Sequence, residues 1–118
     1  MSIETDVVAL LQARCDNVYR VLAPHGSPLP RLVHQHVGGR TMRYMENTAA
    51  LRNVLLHISS WAETEPAAFA LIRQVEDDLC AHPTLQVTPQ GEPIAGIAEG
   101  ENTMYGATQI FSIFGPRD

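Results

Sequence analysis

Three histidines stand where a strand pattern could gather them. His34 and His36 are two apart, so an extended chain puts both on one face, and His57 lies on a second strand-like run that could join them. Three imidazoles suit zinc, which takes nitrogen ligands in a tetrahedral shell. No cysteine or carboxylate stands at helpful local spacing, so the plainer reading is a polar or subunit-facing strand surface. Glu76, Asp77 and Asp78 offer carboxylates for acid–base work. Consecutive helical residues diverge by about 100° each, so these three do not converge on one substrate and read as a solvated helix face. Ser59-Ser60 near His57 lacks a G-x-S-x-G nucleophile elbow. Gly38-Gly39 is not followed by Lys-Ser/Thr and is no phosphate loop, and Gly91, Gly96, Gly100 and Gly106 lack dinucleotide-fingerprint spacing. Cys15 and Cys80 form no CxxC pair and read as reduced, half-buried thiols, with a single disulfide between them as the minor alternative. None of these groups specifies a catalytic, cofactor or metal site, and the expectation is a chain that is not an enzyme.

The most distinctive local chemistry is that of contact. Arg40, Met42, Arg43, Tyr44 and Met45 mix the residue types enriched at protein interfaces, on a segment that reads as a protruding hairpin arm or long loop over 40–50. Leu55 and Trp61 join them as candidate interface residues, because they put apolar groups on the second face of a strand.

The elements that must position these residues follow from periodicity. Ser2 caps a helix over about 3–16, with Val7, Leu10, Leu11 and Cys15 as its apolar stripe. Val18, Tyr19 and Val21 suit a short strand, and three prolines and a glycine between 23 and 30 keep the following chain extended. Arg31 to Val37 alternates: Val33, Gln35 and Val37 point one way, Leu32, His34 and His36 the other. A strand over about 51–62 places Val54, Leu56 and Ile58 on one face and Leu55, His57, Ser59 and Trp61 on the other. Apolar side chains on both faces imply cover on both sides, at least in an assembly. Thr64, Glu65 and Pro66 open a helix whose stripe is Ala68, Leu71, Ile72, Val75 and Leu79, and Pro83 stops it. Leu85–Thr88 suits a strand. Residues 89–104 read as a mobile acidic loop with a short strand around Ile94–Ile97. The last strand, about 104–114, carries Ala107, Gln109, Phe111 and Ile113 on one face and Ile110, Ser112 and Phe114 on the other. The sum is one α+β domain over residues 1–118: a small, mainly antiparallel sheet with two helices packed on one face.

Composition narrows the partners. The chain has 118 residues and a formal net charge of −5, and all eight basic residues are arginines, spread from Arg14 to Arg117. Phosphate binding needs a basic patch or stripe, so general nucleic-acid binding is not expected. The first residues lack a signal peptide's basic and apolar regions, and no apolar run approaches the ~20 residues that span a bilayer. The expected place is the cytoplasm, with no membrane partner.

The ordered set of features resembles the tail terminator, or tail completion, proteins of long-tailed phages and prophages. It is carried by the N-terminal helix followed by Val18-Tyr19, by Ala23-Pro24-His25-Gly26-Ser27-Pro28-Leu29-Pro30 running into Leu32-Val33, by a strand ending in Trp61-Ala62 followed at once by a helix rich in alanine and acidic residues, and by Tyr105-Gly106 leading to Gln109-Ile110-Phe111-Ser112-Ile113. The likeness spans about residues 5–114. Arg31 departs from it, since an aromatic or aliphatic residue often follows the last proline, and 89–104 is poorly matched. The resemblance implies a small sheet backed by helices, a six-fold ring that caps the finished tail tube, stops its polymerisation and presents a surface for head joining, no enzymatic activity and no required cofactor. The implied partners are other copies of the chain, the tail tube protein and the neck or head-completion proteins. The implied places are the host cytoplasm during assembly and the virion tail. Glu92, Glu99 and Glu101 are candidates to line a lumen that repels DNA. The alternatives are a neck (head–tail joining) protein, an adaptor or ligand-binding domain with a pocket lined by Tyr19 and Leu29, and a small metal-dependent enzyme using His34, His36 and His57.

Overall fold

The structure, a computed structural model, describes residues 3–21, 28–39, 51–83, 85–98 and 104–116. Within them the order is α1 (Ile3–Arg14), β1 (Val18–Arg20), β2 (Arg31–Gly38), β3 (Leu51–Ala62), α2 (Glu65–Cys80), β4 (Gln86–Pro89), β5 (Ile94–Ala98) and β6 (Met104–Pro116). This is the α+β architecture the periodicity predicts. The segment 40–50, and with it Arg40, Met42, Arg43, Tyr44 and Met45, lies outside the described residues, as do Ser2, Glu99 and Glu101.

The sheet runs β1-β2-β3-β6-β4, with β5 also on β6. The β1–β2 pair is parallel and every other pairing is antiparallel. The long central pair, β3 and β6, runs in register from Leu51↔Pro116 to Ala62↔Tyr105. Period-two alternation then sorts the side chains. Val54, Leu56 and Ile58 on β3 and Ala107, Phe111 and Ile113 on β6 are buried on the inner face. Both helices pack there: α1 contributes Ile3, Val7 and Leu11, and α2 contributes Ala68, Leu71, Ile72, Val75 and Leu79.

The local causes are visible. Thr64 caps α2, its hydroxyl accepting from the Ala67 N–H, and Pro66 sits in the first turn, where no N–H is needed. The one buried hydroxyl on the inner face of β3, that of Ser60, donates to the Ala68 carbonyl at 2.6 Å and so joins sheet to helix. The α2 acids do more than face solvent. Asp78 accepts two hydrogen bonds from the Arg14 guanidinium, at 2.7 and 2.9 Å, linking α2 to α1, and Glu76 accepts from Gln109 at 2.7 Å. Of the two thiols, both free, Cys15 is buried and Cys80 is exposed.

In the stretch 89–104, of which 99–103 lie outside the described residues, the short strand expected around Ile94–Ile97 is present as β5, and β4 extends to Pro89. β4 pairs β6 up to Pro89↔Phe111, and β5 resumes at Ile94↔Thr108. Residues 90–93 therefore stand opposite only 109–110, as a wide bulge. Gly91 takes φ 95°, open to glycine at little cost. The Gln90 N–H donates to the Ile110 carbonyl at 2.8 Å, and Gln109 Nε2 donates to the Gly91 carbonyl at 2.8 Å. Gln109 is 2% exposed, so one buried amide ties bulge, sheet and α2 together.

Candidate functional site

With both helices on the inner face, no described helix covers the outer one. Outward alternation brings together Val33 and Val37 on β2, Leu55, His57, Ser59 and Trp61 on β3, and Ile110 and Phe114 on β6, with Ile94 on β5 beside them. Ile94 is 71% exposed, and Val37 and Ile110 are also exposed. Leu55, Trp61 and Phe114 are half-buried. Leu55 and Trp61, the two candidate interface residues that fall among the described ones, thus share one face.

This face is poor in charge. Among its described side chains Arg31 alone is formally charged, and it is 8% exposed. Its Nη2 lies 2.9 Å from the Met104 thioether sulfur, at the end of the face where Trp61 pairs with Arg31 across β2 and β3. A shallow depression of about 260 Å³ opens there, with Val33, Gln35, His57 and Trp61 in its walls. Val21, on its rim, ends β1 with φ 66°, a conformation that costs a β-branched residue roughly 1–3 kcal/mol. Charge depletion around aromatic and aliphatic groups is the composition of an interface core.

Trp61 is held by its own sheet. It stands opposite Gly106, which stands opposite Gly96. A Cβ on Gly106 would lie 2.8 Å from two indole carbons, and one on Gly96 would lie 3.9 Å from a third. The indole therefore lies flat across a track of two glycines. Gly106→Val should displace the indole from that track, red-shift the tryptophan emission and cost about 1–3 kcal/mol as overpacking. Unchanged emission with unchanged denaturation would contradict this packing.

The histidines do not converge. His34 pairs with Ile58 and Gln35 with His57, so His34 and His36 lie on the inner face and His57 on the outer. The three-imidazole arrangement is corrected by this register. Glu92 is exposed and 3.6 Å from Arg73.

His34 instead faces a cavity of about 530 Å³ on the helix side of the sheet. Glu4, Val8, Ala9 and Gln12 of α1 form one wall, with Arg20, His36 and Leu56 across from them. Sequence reasoning missed this cavity, since it depends on how α1 crosses the β1–β2 edge. Neither cavity described here is lined by Tyr19 or Leu29. Burial, aided by the positive charge of Arg20, pushes the His34 imidazole below its ordinary value of 6.5. The unfolded chain then binds this proton more readily than the folded one. Its effect is absent above about 6.5 and destabilises the fold progressively as pH falls below that value. Denaturation midpoints near pH 7.5 and 5.5 should therefore drop more for the wild type than for His34→Gln; equal drops would refute the assignment.

No protein-family model matches the sequence, and no curated protein matches it.

Proposed function

We propose that this chain is a structural assembly subunit of the tail-terminator kind, which joins copies of itself into a ring at the end of a tail tube, ends tube growth and offers a surface to neck proteins. The observation that carries the reading is the outer sheet face, which is broad, poor in charge and not covered by any described helix. Contiguous apolar surface of this sort marks interaction sites. A sheet whose other face is packed by two helices can be held in shape while it meets a partner, which keeps the ordering cost of association low. The sequence adds Arg40, Met42, Arg43, Tyr44 and Met45 as interface-rich residue types between β2 and β3.

Ring formation requires heterologous contacts, in which one patch meets a different patch of the next copy. The chain should be monomeric or weakly associated when dilute and add to tube ends when tube protein is present. Native mass spectrometry over a concentration series, with electron microscopy of mixtures with a tail tube protein, tests both parts. Six-fold caps on tube ends are the expected result. A tight two-fold dimer at all concentrations, or tubes that lengthen as freely with the protein as without it, would overturn the reading.

A further inference from the structure

The cavity between α1 and the β1–β2 edge plays no part in the assembly reading, and its chemistry is specific enough to name an occupant. Its volume, about 530 Å³, lies within the roughly 300–1,000 Å³ of small-molecule sites. Leu56, Val8 and Ala9 line it with carbon, so an apolar body has a surface to rest on. Polar groups from two adjacent strands meet there. Arg20 and His34 are register partners across β1 and β2. Arg20 is exposed and makes no ion pair among the described residues. His34 is 9% exposed, lines the cavity and has no hydrogen-bond partner among the described residues. An imidazole that lines a cavity without a protein partner for its ring nitrogens can give one of them to a ligand.

We propose that this cavity binds a small monocarboxylate with an apolar body, held by Arg20 through its carboxylate oxygens and by His34 through a ring nitrogen. The guanidinium fork matches the two oxygens of a carboxylate, and such charge-assisted bonds are about twice as strong as neutral ones. Val8, Ala9 and Leu56 give the apolar body of such a ligand its surface, which inorganic phosphate cannot use, so a carboxylate on a carbon body fits and phosphate does not. The His36 ring already lies 2.8 Å from the Gly38 carbonyl, which leaves His34 as the recognising imidazole.

Benzoate is a suitable probe, with benzyl alcohol as its uncharged counterpart and inorganic phosphate as an anion without an apolar body. Titration into the isotope-labelled full chain should give saturable amide shifts over residues 4–12, 20 and 34, with a Kd of about 1 mM. Benzyl alcohol and phosphate should give none. Arg20→Gln should weaken benzoate about tenfold, and His34→Phe about fivefold. Ala9→Phe, a change at an exposed wall position, should block the cavity and abolish binding, while Arg73→Gln outside the site should change nothing. The proposal is overturned if benzoate does not saturate, if benzyl alcohol or phosphate binds as well as benzoate, or if Arg20→Gln, with its amide spectrum otherwise that of the folded chain, binds like the wild type. None of these readouts depends on self-association.

Discussion

Phe111→Ala should cost about 3–5 kcal/mol of folding stability, the largest loss expected from any single truncation in this chain. Phe111 lies near the middle of β6, the strand that pairs β3 on one edge and both β4 and β5 on the other. It is fully buried, opposite Leu56 on one side and Pro89 on the other, beneath the helices. Removing the ring loses its transfer free energy and leaves a void that strands paired on both edges cannot close. A domain of this size holds roughly 5–15 kcal/mol in total, so the variant should be marginal at 37 °C. Urea denaturation should show a lower midpoint with the same slope. Phe114→Ala, three residues on but half-buried on the outer face, should cost far less in the isolated chain. Equal losses for the two would mean that β6 does not divide its phenylalanines between core and outer surface.

Leu55→Asp should produce the opposite pattern: an intact fold and lost assembly. Leu55 is half-buried on the outer face, opposite Ser112 and beside the β2 bulge at Val37–Gly38. In the free chain the new carboxylate can reach water, so stability should change little. In an interface built on that face it would be buried without a partner. Stranding a charge in this way costs about 3 kcal/mol, which raises the concentration needed for association about 100-fold. Native mass spectrometry of the two proteins at matched concentrations, with a thermal melt to verify folding, reads both halves. If Leu55→Asp assembles like the wild type, the outer face is not the contact surface and the assembly reading loses its main support.

Local physics made much of this fold legible. The α2 boundaries follow from Thr64, Pro66 and the Ala68-to-Leu79 stripe, because caps and stripes are written within a few residues. The two-sided character of β3 follows from alternation alone. What alternation cannot supply is register. His34, His36 and His57 all sit on correctly placed strands, yet whether they meet depends on whether His34 pairs with Ile58 or with His57. A slip of one residue moves a whole side-chain set to the other face. The same gap hid the contact of Trp61 with Gly106 and Gly96, three residues from three strands. Within 89–104 the short strand expected around Ile94–Ile97 is present as β5, Ile94–Ala98. What local pattern does not show is the 90–93 bulge that sets β4 and β5 on one edge of β6, a cause remote in sequence. Leu55 and Trp61 fall together on the outer face. The buried roles of Gln109 and Arg31 were not legible, because a polar residue at an alternating position shows its role only when its partners are known.

The interruption between β4 and β5 has a consequence for crowding. Strand edges are templates: a long straight one invites a neighbour's backbone to zip on and continue without limit. Here that boundary of the sheet is two short pieces separated by the 90–93 bulge, and on the other side, among the described residues, β1 pairs with β2 from Leu32 to His34. Among the described residues neither margin offers a long uninterrupted ladder of free amides. On the assembly reading, such margins disfavour endless edge-on stacking and leave association to contacts between side chains, which can close on themselves and stop.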